Sequence, residues 1–410
     1  MAIAPHIKEM MNSKGASVIR RMFEEGALLK KEFGADKVYD FSIGNPDLEP
    51  PEELKAAIVA LAQQKETGCH GYMPNAGYLE TRQAMGRKVG AEQGMTVDGR
   101  FVVMACGAAG ALNCLFKALL APGDEVVVPA PFFAEYRHYV GNYGGLLVPV
   151  PCREDFSLDL DAIGRALSPK TAAVLVNSPN NPSGKVYSRQ EMEGLAQVLE
   201  RHGQVSGRVP YLVCDEPYRD IVYDGTEVSP VFPLYRNSVV VSSFAKNLSL
   251  PGERIGYIAV NPSCQEAEEL VAACIFTTRI LGFVNAPAFF QRVVARSWSV
   301  PVDYSSYLSR RNQLMAVLDG AGIRYFRPEG AFYLFCQVPE PGGEAIRRLE
   351  ETGNSTDMEF CDHLKGYRVL CAPGSGFGCA GWFRMAYCTS EATIRNCSDA
   401  LRQAVVDWKK

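Results

Sequence analysis

From about residue 100 the chain carries short apolar, β-branched runs, each followed by small or polar residues. They are FVVMACGAAG (101–110), DEVVVPAPFF (124–133), AAVLVNSPNNPSG (172–184), YLVCDEPY (211–218), SVVVSSFAK (238–246) and RIGYIAV (254–260). Helical spacing fills several gaps between them, as at 108–120 and 189–202. Runs that are apolar throughout and alternate with helices predict a mainly parallel sheet covered on both faces, an α/β fold. Ahead of this region, Val18, Ile19, Met22, Phe23 and Leu28 recur at helical spacing over 16–31. The segment FSIGNPDLEPP (41–51) reads as a loop broken by prolines, and Pro51 and Glu52 open a further helix. After residue 300 the rhythm changes. A long helix (303–321) leads into strands in GIRYFRPEGAFYLFCQV; then follow a helix at 356–365, the strands YRVLCAPGSGFG and GWFRMAYC, and a terminal helix at 391–408. The expected organisation is a large domain, 51–300, and a smaller α+β domain made of 1–50 together with 301–410.

With 410 residues, the chain is long enough to bury a full core without disulfides or metals. Its 42 Lys and Arg against 46 Asp and Glu leave a net charge of -4, so nucleic acid is not an expected partner. The 13 cysteines are scattered, form no C-x-x-C pair and suit a reducing compartment. The five histidines are isolated, so no metal is expected. Residues 101–121 have membrane-spanning length, but Asn113, Lys117 and the glycine cluster read instead as strand, tight turn and buried helix. The segment MAIAPHIKEMMNSKG has no apolar core like that of a signal peptide, and Glu9, Glu24 and Glu25 argue against a transit peptide. A soluble, cytoplasmic protein is expected.

Ligands of parallel sheets bind outside the carboxyl ends of the strands, so the residues after each apolar run are the ones to weigh. Gly107, Ala108 and Ala109 follow a strand and open a helix, where backbone N–H groups can hold a phosphate; alone they read as a plain glycine turn. Asn181 can be a simple turn residue. Asp215 and Glu216 end a buried run, where a carboxylate needs a cationic or hydrogen-bonding partner. Lys246 ends SVVVSSFAK. Buried there, its amine would lose solvation, drop in pKa and become a nucleophile; alone it reads as a snorkelling surface lysine. Together with the aromatic face of Phe133, these clusters supply what pyridoxal phosphate requires: a lysine for the imine, a carboxylate for the pyridine nitrogen and donors for the phosphate.

The run SFAKNLSLPGERIGY resembles the lysine signature of the class I/II aminotransferases, the aspartate-aminotransferase-like, fold type I enzymes of pyridoxal phosphate. FSIGNPD (41–47), GYMPNAGYLETRQA (71–84), CGAAGAL (106–112), VPAPFFAEY (128–136), NSPNNPSG (177–184), CDEPY (214–218), PEGAFYLF (328–335) and the stretch APGSGFG to WFRMAY (372–387) follow the family's order. The resemblance implies that Lys246 forms the Schiff base and carries the proton. It pairs Asp215 with the ring nitrogen, sets Asn181 and Tyr218 on the ring oxygen and stacks Phe133 on the ring. Ala108, Ala109, Ser243 and Arg254 would hold the phosphate. Arg384 would clamp the substrate α-carboxylate beside Gly44, and Asn181–Pro182 would be cis. Tyr72 would reach the site of a neighbouring subunit, which implies a homodimer.

Ala245 stands where the family usually has serine, and Phe133 where tyrosine is frequent. The α-carboxylate clamp implies amino acid and 2-oxo acid substrates, with 2-oxoglutarate as the expected acceptor. A dicarboxylate wants a second cation, for which Arg279, Arg20 and Arg21 are candidates. A carbon–sulfur β-lyase on the same cofactor is the alternative, since both reactions share the same start. A cofactor-binding regulator is a third reading, disfavoured by the intact Lys246 and Arg384.

Overall fold

The computed structural model describes residues 3–12, 16–65 and 67–410. Among them seven strands form the main sheet: β1 (Val102–Ala105), β2 (Glu125–Ala130), β3 (Leu146–Pro151), β4 (Thr171–Asn177), β5 (Tyr211–Asp215), β6 (Ser238–Ser243) and β7 (Gly256–Val260). Their spatial order is β1-β7-β6-β5-β4-β2-β3, parallel except for β7, which runs against both neighbours. Six of these strands match the apolar runs. The seventh, β3, escaped the sequence reading because it lies at the sheet's edge. Leu146 is largely exposed and Pro149 and Pro151 interrupt its pattern, as edge strands tolerate.

The expected helices flank the sheet. Gly107–Leu119 buries Ala111, Leu112, Leu115 and Phe116 against it, which disposes of residues 101–121 as a span; no described helix is long and apolar enough to cross a membrane. Arg189–Ser206 begins in a reciprocal cap between Ser188 and Glu191, of a kind worth about 1 kcal/mol. It ends at Gly207, whose φ of 74° suits glycine.

A second hydrophobic core gathers Phe41, Tyr218 and the residues after 305. Helix Ser305–Ala321 packs against the terminal helical region and shares this core with a small antiparallel sheet of β8 (Tyr325–Phe326), β9 (Tyr333–Gln337), β10 (Ala372–Pro373) and β11 (Trp382–Ala386), ordered β10-β11-β9-β8. Three details depart from expectation. YRVLCAPGSGFG is not one strand: Val369–Leu370 pairs in parallel with Tyr39–Asp40, and β10 and a 3-10 turn follow. The terminal helix breaks at Cys397 into Glu391–Asn396 and Ser398–Trp408. A further helix, Gly343–Thr352, was not expected; it is short and half charged, and buries only Ala345.

Candidate active site

Strand register assembles the site. β4 and β5 align Asn177 beside Asp215, and Asp215 faces Val241 of β6, so these carboxyl ends finish level. β6 ends at Ser243 and passes into the single helical turn Phe244–Asn247, which carries Lys246. The lysine amine donates to the Gly44 carbonyl at 2.6 Å. Burial is the first cause that pushes its pKa down to about 8, with Arg384 and Arg254 acting in the same direction. A tenth or so of the amine is then neutral at pH 7, far more than for an ordinary lysine. The rate at which the apoprotein captures pyridoxal phosphate should accordingly rise about tenfold per pH unit below 8 and level off above it, because only the free amine attacks. Stopped-flow absorbance across pH 6–9.5 checks this; a midpoint near 10.5 would contradict it.

Asp215 is buried, and burial lifts its carboxyl to about 7 despite a hydrogen bond that Oδ2 accepts from Tyr136. Its other oxygen, Oδ1, has no partner. A buried carboxylate with one idle oxygen at the cavity wall is what a protonated ring nitrogen would complete. Glu216 turns away and pairs with Arg219 at 2.8 Å, so only Asp215 serves the cavity.

Gly107 opens its helix at φ 71°, and a Cβ there would lie 2.9 Å from Arg254 Nη2. Arg254 itself sits in the left-handed region at φ 51°, anchored by Nη1 to the Pro251 carbonyl at 2.9 Å. The glycine thus lets a guanidinium reach the free N–H groups of the helix's first turn. Ala108, Ala109 and Ser243 share this corner, a cradle suited to a phosphate.

Arg384 lies in the middle of β11, opposite Phe335 of β9 and Ala372 of β10. Alternation sends Phe383 and Met385 into the core and Arg384 toward the cavity. Its guanidinium packs over the rings of Tyr333 (4.6 Å) and Phe377 (4.8 Å) and donates to Asn181 Oδ1 (2.9 Å) and the Ser42 carbonyl (2.7 Å). Nε has no partner. Tyr218 and Tyr333 share a hydroxyl hydrogen bond of 2.8 Å, and a Cβ at Gly44 would fall 2.0 Å from the Tyr333 hydroxyl, so only glycine fits. Asn181–Pro182 is cis, as the resemblance implied; Ala130–Pro131 and Ser178–Pro179 are also cis.

One cavity of about 590 Å³ joins these groups, lined by Gly44, Ala108, Ala109, Phe133, Asn181, Asp215, Tyr218, Ser243, Lys246, Arg254 and Arg384. Gly107 stands behind Arg254. Phe133 meets Tyr136 edge-on at 5.5 Å. Two candidates are not brought in. Tyr72 is 92% exposed and outside the cavity of its own chain. Arg279 lies exposed on helix Ala267–Ile280, 5.6 Å over the Phe276 ring. The side chains of Arg20 and Arg21 lie outside the described residues. Sequence reasoning missed Tyr136, Tyr333, Asn177 and Ser42. All four stood inside quoted motifs, VPAPFFAEY, PEGAFYLF, NSPNNPSG and FSIGNPD, but their partners become visible only in the fold.

The sequence model described as aminotransferase class I and II matches residues 36–401. The aspartate/prephenate aminotransferase of Thermus thermophilus is 33% identical over 377 residues, covering 90% of this chain and 91% of that one. The aromatic-amino-acid aminotransferase 2 of Thermococcus litoralis is 27% identical over the full length of both. Among solved structures, an aminotransferase of Eubacterium rectale shares 35% identity and a TM-score of 0.91, with 100% of both chains covered. The aspartate aminotransferase of Thermus thermophilus with maleate gives 28% and 0.83, over 98% of this chain and 100% of that one. These relatives bear the names of aminotransferases and give the carbon–sulfur lyase reading no support. The chain belongs to the class I and II aminotransferases, enzymes whose cofactor is pyridoxal phosphate.

Proposed function

We propose that this aminotransferase moves an amino group from an L-amino acid to 2-oxoglutarate, with Lys246 as the covalent anchor of the cofactor and as the proton carrier. When bound, pyridoxal phosphate supplies an aldehyde carbon for amines and a protonated ring that accepts electrons from the substrate Cα. The observation that carries the reading is the joint placement in one cavity of the idle Asp215 Oδ1 and the desolvated Lys246 amine. Asp215 holds the proton on the ring nitrogen. Tyr218 and Asn181 orient the ring oxygen, Phe133 covers the ring face, and Gly107, Ala108, Ala109, Ser243 and Arg254 hold the phosphate. Arg384 takes the α-carboxylate of donor and acceptor alike, next to Gly44, which fits the requirement that one site serve both. Lys246, once free, would take a proton from the substrate Cα and give it back at the cofactor's former aldehyde carbon, two bonds away across the nitrogen.

The reading extends to a large cofactor domain, 51–300, and a small domain, 1–50 with 301–410, supported by the two hydrophobic cores. It also extends to a homodimer in which Tyr72 reaches the partner's site. The exposure of Tyr72, Phe276 and Ile280 supports that contact, and sedimentation of a monomer would refute it. Thirteen unpaired cysteines support a cytoplasmic setting, which fractionation of the source cells tests.

The decisive measurement is the visible spectrum of the holoenzyme with each amino acid and then with 2-oxoglutarate. The donor should convert the cofactor to its amine form, and the oxo acid should restore the starting spectrum. An unrestored spectrum would refute 2-oxoglutarate as acceptor. Ammonia and pyruvate released without any oxo acid would refute transfer itself.

A further inference from the structure

The loop that follows Asp40 makes an unusual number of contacts with the reacting groups through its backbone alone. The Ser42 carbonyl accepts from Arg384 Nη2 at 2.7 Å, the Ile43 carbonyl from the Cys388 thiol at 3.6 Å, and the Gly44 carbonyl from Lys246 Nζ at 2.6 Å. Two of three consecutive carbonyls, those of Ser42 and Gly44, therefore set where the carboxylate clamp and the amine stand, and the one between them is held by Cys388. What orients these carbonyls is the side chain of Asp40. Its Oδ1 accepts from both the backbone N–H (3.1 Å) and the hydroxyl (2.6 Å) of fully buried Ser42. Its Oδ2 accepts from Lys30 Nζ at 2.6 Å. Lys30 belongs to helix Ala16–Phe33, which presses on this spot: a Cβ at Gly26 would lie 2.9 Å from Leu370 Cδ1 and 3.5 Å from Asp40 Oδ2. On its other side the loop is tied by Asp47, which accepts from Arg310 at 2.6 and 2.8 Å.

We propose that Asp40 is a positioning residue for substrate carboxylate binding, fixing the Ser42–Gly44 carbonyls on Arg384 and Lys246, with Lys30 of the N-terminal helix holding Asp40 in place. The chain of contacts runs Lys30, Asp40, Ser42, Arg384. A partly exposed lysine thereby bears on a guanidinium that is itself buried. The proposal rests on the assignment of Arg384 as the α-carboxylate clamp. A loosened loop lets the Ser42 carbonyl drift, so Arg384 loses a fixed acceptor and meets the carboxylate less well. Substrate binding suffers more than turnover, and it suffers equally for amino donor and oxo acid.

The test compares Asp40→Ala, Asp40→Asn and Ser42→Ala holoenzymes in both half-reactions, with amide hydrogen exchange of each. Asp40→Ala should raise KM for the donor and for the oxo acid together by about tenfold while kcat stays within about threefold, the loss expected for hydrogen bonds to a charged acceptor. Asp40→Asn keeps one acceptor oxygen for Ser42 or for Lys30 but not for both, because its amide nitrogen cannot accept, and should restore only part of the KM. Exchange at 41–44 should quicken in Asp40→Ala and return toward wild type in Asp40→Asn. Unchanged KM in Asp40→Ala would overturn the proposal. Should Asp40→Ala not fold, Ser42→Ala decides, since it deletes the 2.6 Å hydroxyl contact and leaves the carbonyl. A rise in both KM values supports the proposal, and no rise overturns it. Wild-type enzyme without transfer activity would refute the function proposed above, whereas the exchange data would still decide whether Asp40 orders the loop.

Discussion

Lys246→Ala should abolish amino transfer, with turnover down by about 10⁴-fold or more, the upper end of what a positioned acid–base group contributes. The size of the effect follows from two roles meeting in one atom. Nζ is the amine that would anchor the cofactor and the base placed to move the Cα proton. No neighbour can replace it. The other cations lining the cavity, Arg254 and Arg384, are guanidiniums already engaged, Arg254 with the Pro251 carbonyl and Arg384 with Asn181 and the Ser42 carbonyl. Cys388 has its thiol pushed up to about 12 by burial and remains uncharged. The variant should still bind the cofactor, because the phosphate corner and Asp215 are intact, but borohydride treatment should no longer fix the cofactor to the chain. Activity within tenfold of wild type would refute the role. So would borohydride labelling of the variant at an undiminished level.

Asp215→Asn should cost about 10³-fold in turnover, matching the roughly 3–5 kcal/mol lost when a buried charge pair is broken from one side. An amide cannot hold a proton on the ring nitrogen, so the ring loses its capacity as electron acceptor while the cavity keeps its shape. The same change should act oppositely on the empty protein. Burial raises the Asp215 carboxyl from the usual 3.8 to about 7, so between those values the folded chain holds a proton that the unfolded chain releases. Stability of the apoprotein then falls as pH climbs through that window, and the cost is fully present above about 7. Asp215→Asn removes this component. Glu216, also raised to about 7 by burial, leaves a second component of the same sign, so the slope should shrink but persist. Thermal unfolding of both apoproteins from pH 4 to 8 checks it. A variant less stable than wild type at pH 8 would mean that Asp215 is a structural group and not one kept ready for a ligand.

Lys246 and Asp215 were both readable in the chain because each follows closely on a short apolar run, Val239–Val241 and Tyr211–Cys214, and stands in a motif that resembles the family's. In a parallel sheet such a run has one meaning: a strand covered on both faces, with its carboxyl end at the ligand edge. β3 shows the limit of that signal. As an edge strand it needs no continuous apolar run, so its prolines hid it. The helix Gly343–Thr352 was overlooked although Ala345, Ile346 and Leu349 give it a short apolar stripe.

The linear order of residues determined the class of the fold, the cofactor chemistry and the identity of most groups around the cavity, because burial dictates residue type locally and the motifs are short. Which partner each group meets was decided only in three dimensions. Tyr136 reaching Asp215, Tyr333 closing on Gly44 and Tyr218, and Ser42 beneath Arg384 join residues 79 to 342 positions apart. The resemblance singled out Asp215 over Glu216, and the tertiary structure supplies the physical reason. Adjacent side chains on a strand point to opposite faces, and only the packed sheet determines which face borders the cavity and which meets Arg219.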